Sequence, residues 1–284
     1  MERQVCLSDG RKVPCIGQGT WFLGEHRDRF IREQEALTAG IDVGMTLLDT
    51  AEMYGNGKAE ALIGRTIKGM DRSRLFLVSK VYPHNAGRKN IFKSCMASLE
   101  RMGTDYLDLY LIHREDPCFD PWETARALKD LKKEGLVKEA GVSNFDPFKF
   151  DALNRAIGGE LVTNQIEWNP VCFEHFNSGM MDYLAVNRIH PMIWSPLAGG
   201  RLFKGGDELC NKAMVKIKEI AGRHGEAPET IIYAWLMYHP VGAVPLSGSN
   251  KLERLDLAVK ALDVKLEHYE WYEIYVASGQ QVLR

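Results

Sequence analysis

Three apolar runs each finish on an ionisable side chain. Leu47-Leu48-Asp49-Thr50 delivers Asp49, Phe76-Leu77-Val78-Ser79-Lys80 delivers Lys80, and Leu109-Tyr110-Leu111-Ile112-His113 delivers His113. Just beyond the first stands Tyr54, in Asp49-Thr50-Ala51-Glu52-Met53-Tyr54-Gly55. Taken singly, each has an ordinary explanation: a strand-end lysine is usually solvated, a strand-end aspartate often caps a helix, and a histidine can simply satisfy backbone carbonyls. Their spacing argues otherwise. Asp49 and Lys80 are 31 residues apart, and Lys80 and His113 are 33 apart. Each interval is about one strand-helix repeat, which brings all three to the same rim of a barrel. A phenol, an ammonium, a carboxylate and an imidazole gathered in one place suit reduction of a carbonyl. Such a reaction needs a hydride on carbon and a proton at the oxygen, where negative charge develops. Tyr54 is the candidate proton donor. Lys80 is expected to lower its pKa, Asp49 to keep the ammonium charged, and His113 to orient the carbonyl by a hydrogen bond.

The elements that would hold these residues follow from the hydrophobic pattern. Short runs rich in β-branched and aromatic residues alternate with longer amphipathic stretches over nearly the whole chain. The pattern predicts strands over 16–20, 46–50, 75–80, 107–113, 139–143, 161–165, 191–195 and 243–246. It predicts helices over 30–43, 58–68, 89–102, 121–133, 147–156 and 175–187. Two extra helices, over 209–224 and 228–238, precede the last strand, and one over 251–262 follows it. Val5 to Pro14, with Asp9-Gly10 at its centre, reads as a small β-hairpin ahead of the barrel, placed to plug its lower end. The expected fold is therefore an α/β (β/α)8 TIM barrel with an N-terminal β-hairpin, one domain over 1–284. An open dinucleotide-binding sheet fits worse. Gly17-Gln18-Gly19-Thr20-Trp21-Phe22 starts like a glycine-rich fingerprint but has Phe22 where the third glycine should stand. The Tyr54-x-x-x-Lys58 spacing would require a helix that Gly55 and Gly57 disfavour.

Composition narrows the partners. With 45% hydrophobic and 26% charged residues and a net charge of −2, the chain carries no electrostatic footprint for nucleic acid or an anionic membrane. The opening residues Met1 to Gln4 lack the apolar core of a signal peptide and no long apolar run follows, so a cytoplasmic location is expected. Cys6, Cys15, Cys95, Cys118, Cys172 and Cys210 are scattered, which suggests neither a disulfide framework nor a metal site.

The segments Leu48-Asp49-Thr50-Ala51-Glu52-Met53-Tyr54-Gly55, Asp105-Tyr106-Leu107-Asp108-Leu109-Tyr110-Leu111-Ile112-His113-Arg114 and Gly141-Val142-Ser143-Asn144-Phe145 resemble three hallmark stretches of the aldo-keto reductases, in family order. Asp49, Tyr54, Lys80 and His113 match that family's catalytic tetrad. The resemblance implies an extended NADP(H) across the barrel mouth, its nicotinamide amide held by Ser143, Asn144 and Gln165. Trp194 would stack on the nicotinamide, with a buried core tryptophan as the competing reading. Ser195, Leu197, Gly199 and Arg201 resemble the segment that folds over the pyrophosphate. Gly248, Ser249, Lys251 and Arg254 look like the site for the adenosine phosphate, which favours NADPH over NADH. Leu257 and Ala258 depart from the Glu and Asn that many members carry there.

Substrate-facing candidates are Trp21 and Phe22, Tyr82 and Pro83, the loop from Glu115 to Phe119, and Trp168. They are mostly apolar, suiting a small-molecule aldehyde or ketone with hydrophobic substituents, and equally compatible with rim packing. The chain ends soon after Tyr275, which leaves little tail to shape a pocket. A monomer or weak homo-oligomer is expected. Two other classes remain open on sequence alone. One is a nucleotide-binding regulatory subunit with little turnover. The other is a barrel isomerase or aldolase acting on phosphorylated sugars, in which Tyr54 would lack a role.

Overall fold

The structure, a computed structural model, describes residues 4–7, 10–118 and 120–281. Asp9 of the expected hairpin turn, Phe119 of the expected substrate loop and the first three residues lie outside the described residues.

Strands β3 (Gly17–Gly19), β4 (Leu47–Asp49), β5 (Phe76–Val81), β6 (Leu107–Ile112), β7 (Val137–Ser143), β8 (Leu161–Glu167), β9 (Met192–Trp194) and β10 (Val244–Ser247) close into a parallel barrel. Their order around the ring is β10-β3-β4-β5-β6-β7-β8-β9, so β6 stands opposite β10. All eight predicted strands are present, most of them shifted by a residue or two at their ends. Alternation along a strand decides which side chains point inward. Leu47, Phe76, Val78, Leu109, Leu111, Met192, Val244 and Leu246 fill the barrel interior. One further step of two along the same faces reaches Asp49, Lys80 and His113. These three therefore continue the inward-facing columns and emerge at the C-terminal mouth.

The glycines of Gly17-Gln18-Gly19 serve this packing. A Cβ on Gly17 would sit 2.5 Å from Leu47 Cδ2 and 2.7 Å from Leu246 Cδ2, so any larger residue would have to displace both interior leucines where β3 closes the ring. The opposite end is sealed by the hairpin β1 (Gln4–Cys6) and β2 (Lys12–Pro14), whose Val13, together with Leu7, joins the interior cluster. Arg11 reinforces the plug by pairing with Glu139 on β7 at 2.8 Å.

Outside the barrel lie α1 (Phe30–Asp42), α2 (Lys58–Thr66), α3 (Arg88–Met102), α4 (Pro121–Lys133), α5 (Pro147–Ala156), α6 (Glu174–Asn177), α7 (Met180–Val186), α8 (Glu208–His224), α9 (Pro228–Tyr238), α10 (Leu252–Lys260) and α11 (His268–Ala277). α4 and α5 begin where the sequence places them. Asp120 and Asp146 cap their first amides, and proline occupies the first helical position of each, where a missing N–H costs nothing. The predicted helix over 175–187 is instead two, because Gly179 adopts φ 78° between α6 and α7. α11, which the hydrophobic pattern did not reveal, packs on α8 through Arg223, which bridges to Glu270 and Glu273. The α9–α11 contact centres on Trp235 and Trp271, stacked at 5.3 Å, each indole donating to the other's carbonyl at 3.0 Å.

Candidate active site

Strand pairing brings the four residues together. Asp49 lies opposite Val78, one interior layer before Lys80, and Lys80 lies opposite Leu111, one layer before His113. Tyr54 arrives by a different device. After β4 the chain makes a tight turn over Tyr54–Gly57 in which Gly55, Asn56 and Gly57 all have positive φ, and α2 starts only at Lys58. This turn swings the phenol back over the barrel and removes the helix that a Tyr-x-x-x-Lys reading requires.

Lys80 is the hub. Its ammonium, fully buried, donates to Asp49 Oδ2 at 2.8 Å, to the Thr50 carbonyl at 2.8 Å and to Tyr54 Oη at 3.2 Å. All three N–H donors are satisfied, as a buried ammonium requires. Asp49, 3% exposed, accepts on its other oxygen from Gln165 Nε2 at 2.7 Å. The His113 ring stands 5.7 Å from the Tyr54 ring at a steep 77°. The Tyr82 ring lies 5.8 Å from the His113 ring, and Glu52 holds that loop by accepting the Tyr82 N–H at 2.8 Å.

Burial and charge set the protonation states. Burial raises the Tyr54 phenol above its ordinary value, and Lys80, which pulls the other way, does not offset it. The sequence-based expectation of a lowered phenol pKa is therefore corrected: desolvation outweighs the ammonium, and Tyr54 keeps its proton. Burial also raises the Asp49 carboxyl, against the pull of Lys80 and Gln165. Lys80 loses stability as a cation through burial but gains more from Asp49 and Tyr54, so it is held protonated. His113 is lowered to about 3 by burial first and then by the charges of Lys80 and Arg114. It is a neutral imidazole at physiological pH, and its Nδ1 has no hydrogen-bond partner among the described residues.

These groups open onto a cavity of about 550 Å³ that runs across the mouth. Ser143, Asn144 and Gln165 form its floor beside the tetrad, joined by Ser143 Oγ donating to the Gln165 carbonyl at 2.9 Å and Asn144 Nδ2 donating to Ser143 Oγ at 2.9 Å. Trp194, half-buried, lines the cavity and donates its indole N–H to Asn144 Oδ1 at 2.9 Å, so the core-tryptophan reading does not hold. Ser195, Leu197 and Gly199 line the next stretch, and Gly248, Ser249 and Arg254 the far end above β10. Trp21 packs over the near end, 6.4 Å from both the Tyr54 and Trp194 rings.

Four expected residues stand elsewhere. Trp168 is 1% exposed and packs against Phe176 and Trp235 beneath the helices, so it faces the core and not a substrate. A tryptophan just past a strand end can turn either way, and here the aromatic cluster with α6 and α9 provides the larger apolar contact. Arg201 bonds the Ala198 carbonyl at 3.3 Å, bracing its own turn away from the cavity wall. Lys251 is exposed at the N-cap of α10 and does not line the cavity. Tyr82 reaches the site only through its ring contact with His113. In exchange the structure adds Arg114, Lys204, Glu229 and Tyr233 to the cavity wall. Arg114 had a signal, since it directly follows His113. Glu229 and Tyr233 had none, because they project from one side of α9, which the sequence reads only as a buried helix.

Among the described residues no helix is long and apolar enough to cross a membrane, and no cluster of His, Cys, Asp and Glu could hold a metal ion. A family model, the aldo/keto reductase family, matches residues 15–277. The chain is 37% identical to a 6-dehydroglucose reductase of Agrobacterium fabrum, with 99% of each chain covered. It is 37% identical to a methylglyoxal reductase of Escherichia coli, covering 95% of this chain and 92% of that one. A crystal structure of an aldo/keto reductase from Klebsiella pneumoniae in complex with NADP and acetate superposes with a TM-score of 0.89 at 33% identity, covering 100% of this chain and 98% of that one.

Proposed function

From the premise that this chain belongs to the aldo/keto reductase family, we propose that it reduces small aldehydes or ketones to alcohols with NADPH, using Tyr54 as the proton donor. The observation that carries this reading is the position of Lys80 Nζ, 2.8 Å from Asp49 Oδ2 and 3.2 Å from Tyr54 Oη, at one end of an elongated cavity. The cavity suits the cofactor. Its volume lies within the range of about 300–1,000 Å³ usual for small-molecule and cofactor sites. Lys204 and Arg254 line the cavity, and neither forms an ion pair among the described residues, which is the chemistry a phosphate-bearing nucleotide needs. Ser143, Asn144 and Gln165 would hold the amide of the nicotinamide ring, Trp194 would pack against that ring, and Ser195, Leu197 and Gly199 would follow the pyrophosphate. Arg254, Gly248 and Ser249 would take the adenosine phosphate, with Lys251 and Arg201 in outer positions. When bound, the nicotinamide supplies a hydride.

The chain's own residues perform the remaining steps. Tyr54 donates its hydroxyl proton to the carbonyl oxygen as that oxygen becomes an alkoxide. The phenolate left behind is stabilised by the Lys80 ammonium, already aimed at Oη, and Asp49 keeps that ammonium ionised in a site with little water. Neutral His113 contributes a hydrogen bond to the same oxygen. Trp21 and Phe22 cover the near end of the cavity and limit water there. The names of the two reductase relatives, acting on 6-dehydroglucose and on methylglyoxal, support a small carbonyl compound as substrate. The test is consumption of NADPH, followed by its absorbance, with methylglyoxal and a panel of aldehydes. The wild type turns over, and Tyr54→Phe lowers kcat by about 10²–10⁴-fold while binding NADPH unchanged. Tight NADPH binding without reduction of any carbonyl would overturn the reading.

A further inference from the structure

Three cations line the cavity, and they sit in two places. Lys204 and Arg254 follow β9 and β10, whereas Arg114 follows β6, across the ring from β10. The first two face the proposed nucleotide phosphates. Arg114 stands beside the reacting groups, directly after His113, near enough that its charge is felt by both Tyr54 and His113. It is exposed to the cavity and has neither an ion pair nor a hydrogen bond among the described residues. The acids nearest in the chain are already engaged. Glu115 pairs with Lys149 and accepts the Asp146 N–H, and Asp116 accepts the Cys118 N–H at 2.8 Å. The substrate end is otherwise closed by the stacked rings of Trp21 and Phe22, which carry no charge to set against an anionic substituent.

We propose that Arg114 is a specificity-determining residue that binds an anionic group, carboxylate or phosphate, carried by the carbonyl substrate. A guanidinium presents paired N–H donors that match both oxyanions. Placed on the rim above β6, it would fix the anionic end of the substrate while the carbonyl reaches Tyr54. The preferred substrates are then small oxo acids or phosphorylated aldehydes. The inference rests on the reductase reading above.

Two matched pairs test it: succinic semialdehyde against butanal, and glyceraldehyde 3-phosphate against glyceraldehyde. Arg114→Leu is expected to lower kcat/KM about 30-fold for at least one charged member, mainly through KM, and less than about 3-fold for its neutral partner. Loss confined to the semialdehyde pair identifies a carboxylate, and loss confined to the glyceraldehyde pair identifies a phosphate. Equal loss on charged and neutral members, or no loss at all, overturns the proposal. If the wild type reduces none of the four, the reductase reading is decided by methylglyoxal and the aldehyde panel, and binding decides Arg114 separately. Quenching of tryptophan fluorescence by 4-hydroxybutyrate and by glycerol 3-phosphate, read on the NADP-loaded protein, must then weaken about 30-fold in Arg114→Leu for at least one of them. Unchanged affinity for both overturns the inference.

Discussion

At the lower end of the barrel, Leu7 and Val13 join Leu47 and Phe76 in an apolar plug with the hairpin strands paired in simple register. At the upper end, the same columns of side chains terminate in Asp49, Lys80 and His113, all but removed from water. Backbone strain follows the same division. Phe22, Asn56, Asn144, Ser195 and Ala198 adopt positive φ without being glycine, and all five belong to the loops of the mouth. Arg188 is the remaining non-glycine residue of this kind among the described residues. Each such residue costs on the order of 1 kcal/mol, and the barrel's apolar interior and plug overdetermine the fold enough to hold them. The comparison teaches that one end supplies stability and the other spends it on placing charges and turns where chemistry needs them.

That division can be broken or sharpened by experiment. The largest effect is expected at Lys80. Lys80→Met leaves Asp49 buried without its partner and should cost about 3–5 kcal/mol of stability along with turnover. Lys80→Met with Asp49→Leu should recover much of the stability and none of the turnover; chemical denaturation and kinetics on both variants check this. Recovery of activity in the double variant would remove the pair from catalysis.

A pH titration comes next. The folded His113 titrates at about 3 against an ordinary 6.5. Above 6.5 it is neutral in both folded and unfolded chains and contributes no pH dependence. Between 6.5 and 3 the unfolded chain takes up a proton that the folded one refuses, so stability falls by about 1.4 kcal/mol per unit as the pH drops. His113→Gln should lose this component, read as a shallower acid limb in denaturation between pH 6.5 and 4. Identical limbs would show that His113 is not held neutral.

Leu7→Ala probes the other end. It should lower stability by about 2 kcal/mol with kcat/KM for any carbonyl unchanged, since the plug touches no group of the mouth. A matching fall in activity would mean that the two ends are coupled. The smallest effect concerns the nucleotide rim. Arg254→Leu should weaken NADPH binding about tenfold and leave NADH nearly unchanged, and Lys251→Ala, off the cavity wall, should do less. Equal weakening of both nucleotides by Arg254→Leu would take it out of phosphate recognition.

Much of this protein was legible before any coordinates. Short apolar runs rich in β-branched and aromatic residues, at intervals of one strand-helix unit, pointed to eight strands, and the ionisable residues ending three of them marked the mouth. Asp120-Pro121 and Asp146-Pro147 announced the starts of α4 and α5 because capping and proline geometry are local. The helix over 175–187 was misread for a local reason too: Gly179, which breaks it, was outweighed by the apolar period on either side. α11 escaped because its aromatic residues do not form a single stripe, and its stability comes from contacts with α8 and α9. Trp168, Arg201 and Lys251 had the right residue types near the right strand ends, yet the direction of each side chain depended on neighbours distant in sequence.

By itself the sequence determined the barrel and the arrival of Asp49, Lys80 and His113 at one rim, because residue type and repeat length are written along the chain. The tertiary structure alone decided that burial outweighs Lys80 in setting the Tyr54 proton, that Trp168 belongs to the core, and that Arg114 lines the mouth without an ion pair among the described residues. Desolvation and ion pairing are properties of the surroundings a residue folds into. Those surroundings are assembled from segments the chain keeps far apart.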